Sequence, residues 1–107
     1  MNNDRIELLK KYILEEPKNP FNRYALAMEY YEKEPGTSLG LMEDLLHDHP
    51  DYLPTYFKVA HLYWEIENWD EAEATFKKGI QLATVQGDEK TLSELRSAYT
   101  NFQFEKE

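Results

Sequence analysis

Residues 54–84 read PTYFKVAHLYWEIENWDEAEATFKKGIQLAT, and the spacing inside this stretch decides the fold class. Tyr56, Val59, Ala60 and Tyr63 fall three and four residues apart, and after a polar interruption at Asn68 the pattern resumes at Ala72, Phe76 and Gly79. That is the helical period, whereas the alternation of a half-buried strand is sustained nowhere in the chain. Each half carries an apolar stripe and a small residue, Ala60 or Ala72, where antiparallel helices can approach to about 8–10 Å. The stretch reads as a helical hairpin and the chain as all-α.

Working outward, breakers stand at Pro17 to Pro20, Pro35-Gly36, Pro50 to Pro54, Asn68 and Gly87-Asp88. They leave six helices, expected at 4–16, 20–33, 38–49, 54–67, 70–86 and 88–104. Asp4 with Glu7 and Asp70 with Glu73 have the spacing of a capping box, while Thr37 or Ser38, and Asp88, are candidates for simple N-caps. Laid on itself, the chain repeats. Pro17 meets Pro50 and Pro20 meets Pro54, and Leu8, Leu9, Tyr12 and Ile13 superpose on Leu41, Met42, Leu45 and Leu46, then on Thr75, Phe76, Gly79 and Ile80. Helical repeats of this length bury their faces by stacking.

On these residues the chain resembles the tetratricopeptide repeat (TPR) family. Tyr56, Val59, Ala60, Tyr63, Ala72 and Phe76 stand at its signature positions, with Trp69 and Glu71 resembling its turn. Arg23, Leu26, Ala27, Tyr30, Ser38, Met42 and Pro50 form a more degenerate upstream copy, in which Arg23 replaces the first aromatic. That copy is one residue short between Tyr30 and Ser38, so a tighter turn is expected at Pro35-Gly36. In the later copy Thr84 replaces the closing proline, which lets the helix run on to Gln86. The resemblance implies a TPR-type α-α superhelix in a single domain over 1–107: an N-terminal helix at 4–16, repeats at 20–50 and 53–86, and a capping helix at 88–104.

The resemblance also implies that the first helix of each repeat lines a concave groove. By matching positions the groove residues are Phe21, Tyr24, Ala25, Met28 and Tyr31, then Pro54, Phe57, Lys58, His61 and Trp64. Large aromatic residues opposite an already apolar face are hard to bury in one small domain, and exposed aromatic patches mark interfaces. A peptide or partner protein is the implied ligand, held by apolar anchors with Lys58 as the one cation. The competing reading is that terminal helices fold over Phe21, Tyr24, Phe57 and Trp64 and make them core. Leu92, Leu95, Tyr99 and Phe102 have the spacing of such a lid, and Phe104 beyond them gives a self-assembling homodimer as the alternative function.

Charge and composition narrow the rest. The net charge of −9 repels nucleic acid and anionic membranes. With no cysteine there is no disulfide framework, thiolate metal site or thiol nucleophile. The opening Met1-Asn2-Asn3-Asp4-Arg5 lacks a signal peptide's pattern and no run reaches membrane-span length, so a cytoplasmic location is expected. His47-Asp48-His49 with Asp51 has metal-ligating residue types, but neighbouring helix-end positions diverge, and histidines there serve the helix dipole. No nucleophile–base pair, buried carboxylate pair or glycine-rich phosphate loop is present, so neither catalysis nor a cofactor or metal is expected.

Overall fold

Three helices begin on a side chain that satisfies a free backbone N–H. Asn2 accepts from Arg5 N (3.0 Å), Asn19 from Phe21 N (3.0 Å) and Asp88 from Thr91 N (3.0 Å). Proline opens α2 as well, behind its Asn19 cap, and opens α3 and α4 without one; its missing N–H costs nothing in a first turn and its fixed φ suits a helix. The computed structural model describes residues 1–107 and contains α1 (Asn3–Glu15), α2 (Pro20–Tyr30), α3 (Pro35–Asp48), α4 (Pro54–Glu65), α5 (Trp69–Gln86) and α6 (Glu89–Lys106). No strand interrupts them, and the fold class is all-α as the periodicity implies.

Five local expectations are corrected. Pro35-Gly36 is the first turn of α3 and not the break before it, because proline at the first helical position is free of cost. The turn is Tyr31 to Glu34, so α2 stops at Tyr30 instead of residue 33, and Glu34 rather than Thr37 or Ser38 precedes α3. Asp4 lies inside α1, capped by Asn2. Asp70 likewise lies inside α5, which follows Asn68 without any side-chain cap. Thr84 does let α5 continue to Gln86.

The chain divides into two compact units, residues 1–52 and 53–107. In the first, α2 packs on both α1 and α3. Ile6 and Leu9 of α1 bury against Ala25 and Leu26 of α2, flanked by Ile13, Tyr30 and Leu41, and Arg5 pairs with Glu29 across the same two helices. Ala25 is therefore core, which removes it from the expected groove. Where α2 meets α3, Ser38 is fully buried and its hydroxyl donates to Ala27 O at 2.8 Å. A serine fits at this small-residue position because its one polar atom has a partner.

In the second unit α5 lies between α4 and α6. Ala60, Ala72 and Ala83 are fully buried. At Gly79 an added Cβ would stand 2.9 Å from Tyr56 Cβ and 3.2 Å from Leu95 Cδ1, so the glycine lets α4 and α6 approach α5 together. Leu95 and Phe102 of α6 are buried completely, and Lys106 reaches Glu73 at 3.0 Å. The helix expected as a lid covers the α4–α5 hairpin through the residues whose spacing suggested it.

Candidate binding surface

In the first unit, Tyr30 of α2 packs against the core while the other aromatic residues of the helix stay partly open to solvent. Phe21 at its start is 58% exposed, while Tyr24, Met28 and Tyr31 are half-buried. Tyr24 meets Tyr52 edge-to-face with ring centroids 5.8 Å apart. Burial raises the Tyr24 phenol pKa, the neighbouring Tyr52 and Tyr31 raise it further, and burial likewise raises that of Tyr52. These tyrosines offer hydrogen bonds on an apolar body, the combination enriched at protein interfaces.

Arg23 points elsewhere. Its guanidinium bonds Asp48 Oδ2 at 2.8 Å, tying α2 to the end of α3. Beside it lies a cleft of about 370 Å³ lined by Ile13, Leu14, Leu26 and Leu41, with Lys10 and Asp44 at its edge. Leu14 there is 84% exposed. The departure at Arg23 was legible in the sequence, but the apolar cleft next to it was not, because it needs three helices to be placed. His47 Nδ1 lies 3.1 Å from Asp48 Oδ1, so the histidine tract takes part in the same charged cluster at the end of α3. Asp48 is held below the usual carboxylate range by its hydrogen bonds from His47 and then Arg23.

In the second unit the aromatic face of α4 runs directly into the core. His61 stacks at a tilt on Phe57 (4.3 Å), and its Nδ1 lies 2.7 Å from Phe57 O, so that nitrogen carries the proton and donates. Lys58 Nζ sits 5.9 Å from the Phe57 ring centroid. Trp64 stands edge-on to Phe102 of α6 (5.4 Å, 85°) and lies 6.2 Å from Phe76. Trp69 meets the same Phe102 at 5.8 Å. Phe57, Lys58, His61 and Trp64 are all half-buried, with one side against this cluster and one side to solvent. The lid helix thus reaches Trp64 without enclosing it.

Comparison with known proteins bears on the family and the fold. The chain is 38% identical to a tetratricopeptide repeat domain protein from Salinibacter ruber solved by solution NMR, over 81% of this chain and 89% of that one, with a TM-score of 0.75. A crystal structure of a tetratricopeptide repeat domain protein from the same organism gives 37% identity over 79% and 96% of the two chains, with a TM-score of 0.76. This chain belongs to the tetratricopeptide repeat family. No family model matches the sequence, and no curated protein does.

As a TPR protein, the chain has six helices, of which α2–α3 (Pro20–Asp48) and α4–α5 (Pro54–Gln86) are two successive helical pairs. Around the end of α4, His61, Trp64 and Trp69 line a pocket of about 300 Å³ whose remaining lining is Glu65, Glu67 and Glu105. By its spacing Trp69 reads only as a turn residue, and Glu105 stands 40 residues from Glu65. The available signal was Trp64 and Trp69 themselves, the only two tryptophans of the chain, five residues apart across a turn rich in glutamate.

Proposed function

We propose that this TPR chain is a non-catalytic adaptor or scaffold that binds a peptide or partner protein through the aromatic faces of α2 and α4. The observation that carries the reading is Phe21, a large aromatic side chain 58% exposed on a helix that already buries Ala25, Leu26 and Ala27 on its other side. Phe21, Tyr24, Met28 and Tyr31 form one face, and Phe57, Lys58, His61 and Trp64 the other. Rigid aromatic side chains supply contact area at little entropic cost, which is why they concentrate in interface hot spots.

The surrounding chemistry supports the same reading. No residue constellation on these faces has the geometry of a nucleophile with its base, and the net charge of −9 disfavours nucleic acid and anionic membranes. No helix is long and apolar enough to cross a membrane. A cytoplasmic location belongs to the proposal.

Selection from a random-peptide display library tests it, with the doubly substituted chain Phe21→Ser/Phe57→Ser as the counter-target and circular dichroism to verify its fold. Peptides retained by the native chain and lost by the variant uphold the reading. If no peptide is enriched and sedimentation shows a concentration-dependent dimer, the aromatic surface is instead a self-assembly face and the chain a homodimeric structural module.

A further inference from the structure

Two helices of the second unit end in the same hydrogen-bond pattern but with different residues in the left-handed position. After α5, Gly87 (φ 71) bonds Thr84 O at 3.2 Å, and Asp88 N bonds Ala83 O at 3.0 Å. After α4, Glu67 N bonds Trp64 O at 3.0 Å, and Asn68 N bonds Tyr63 O at 2.9 Å, with Glu67 at φ 60. This is the helix ending that normally selects glycine, because a Cβ is unfavourable at positive φ. Glu67 is the chain's only non-glycine residue there. A strained residue is worth explaining by what its side chain does, and Glu67 lines the pocket with His61, Trp64 and Trp69.

The pocket walls are aromatic and fixed. Phe102, fully buried, lies behind both indoles, edge-on to Trp64 at 5.4 Å and tilted against Trp69 at 5.8 Å. His61 lies 5.6 Å from Trp64 and has its Nδ1 committed to Phe57 O. Both indoles remain half-exposed, so their faces are available on one side. Indole is the aromatic ring that attracts a cation most strongly.

The rim is anionic and uncompensated. Glu65, Glu67 and Glu105 are exposed and take part in no salt bridge, and no lysine or arginine lines the pocket. The nearby cations Lys77 and Lys106 are both engaged by Glu73, at 3.6 and 3.0 Å. Two preorganised indoles, a fixed imidazole ring and three unpaired carboxylates around a cavity of about 300 Å³ match an apolar stem ending in a positive charge.

We propose that this pocket receives an arginine or lysine side chain of the protein partner, with the head group between the Trp64 and Trp69 indoles and the Glu65, Glu67 and Glu105 carboxylates. The inference rests on the reading of the chain as a partner-binding module and names the chemistry of one anchor of that partner.

Because Trp64 and Trp69 are the only tryptophans, the two indole N–H resonances of the native chain report on the pocket alone. The probes are the capped tripeptides Gly-Arg-Gly and Gly-Lys-Gly, with the neutral isostere Gly-citrulline-Gly as control. Both cationic peptides are expected to shift the two resonances saturably, and the citrulline peptide at least about fivefold more weakly. Glu67→Gln and Glu105→Gln should each weaken the arginine peptide about threefold while leaving the fold unchanged. Glu67→Gly adds a discriminating readout, since it relieves the backbone and should raise the thermal midpoint while weakening the peptide.

Indole resonances that stay still, or equal affinity for citrulline and arginine, overturn the proposal. So does an arginine affinity unaltered in all three glutamate variants. If library-selected peptides still bind through Phe21 and Phe57 in that event, the partner-binding function stands and only the cation pocket falls. Cation binding without any selected peptide has the opposite meaning: the pocket stands and the aromatic faces do not.

Discussion

Thr55 Oγ1 is buried at the start of α4 with no hydrogen-bond partner, although a hydroxyl group normally costs about 1–3 kcal/mol when left unsatisfied. Valine has nearly the same shape and no polar atom. Thr55→Val is expected to leave stability unchanged or raise it by about 1 kcal/mol in urea denaturation, and a loss would mean that the hydroxyl has a bonding role. Gly79 presents the opposite balance. Alanine would improve helix propensity by roughly 1 kcal/mol, but its methyl group would meet Tyr56 Cβ at 2.9 Å, an atom too close to the backbone to swing aside. Overpacking of about 1–3 kcal/mol should win, giving net destabilisation on the order of 1 kcal/mol by the same measurement. An increase in stability would show that α4 and α5 can separate without penalty.

At the scale of elements, α6 is held by burial and by charge. Phe102 is fully buried among Trp64, Trp69, Phe76 and Tyr99, so Phe102→Ala should cost about 3–5 kcal/mol and shift tryptophan emission to the red as both indoles lose their backing. Unchanged emission would mean that α6 does not shield them. The polar attachments give a pH dependence. The Lys106 hydrogen bond holds Glu73 below its ordinary pKa of 4.5, and the Thr91 backbone N–H holds Asp88 below 3.8. A carboxylate with a lowered folded pKa stabilises the fold above its unfolded value and loses that contribution as pH falls through the folded one. Lys106, raised above 10.5 by Glu73, contributes below that value and is lost as pH rises past it. Thermal stability should therefore be flat through neutrality and decline below about pH 4, with α6 amides losing exchange protection first. Glu73→Gln should flatten the acid limb.

Across the whole molecule, the net charge of −9 sets the terms of any encounter. A partner bearing an arginine or lysine anchor is steered by that field, so its association rate should fall severalfold between low and physiological salt while dissociation changes less. Stopped-flow measurements at two ionic strengths check this. A salt-independent association rate would argue for apolar anchors alone. The self-assembly alternative predicts the reverse trend, because screening lowers the repulsion between two acidic copies.

The sequence by itself determined the helix count, the repeat and the family, because a 3.6-residue period and small residues at Ala27, Ala60, Ala72 and Gly79 are local properties readable along one strand of text. It also foretold Leu95 and Phe102 as lid residues, since α6 is amphipathic with or without its neighbours. Start sites were less legible. Asn2 competes with Asn3 and Asp4, equally good caps in isolation, and Pro35-Gly36 reads as a break although its geometry suits a first turn. Only the tertiary structure decided that Ala25 is core, that Arg23 leaves an apolar cleft beside it, and that Trp64 is backed by α6 yet half-open. It alone gathered Glu65, Glu67 and Glu105 around two indoles, because that grouping depends on where α6 ends relative to the α4–α5 turn. Packing sets that position, and no local period encodes it.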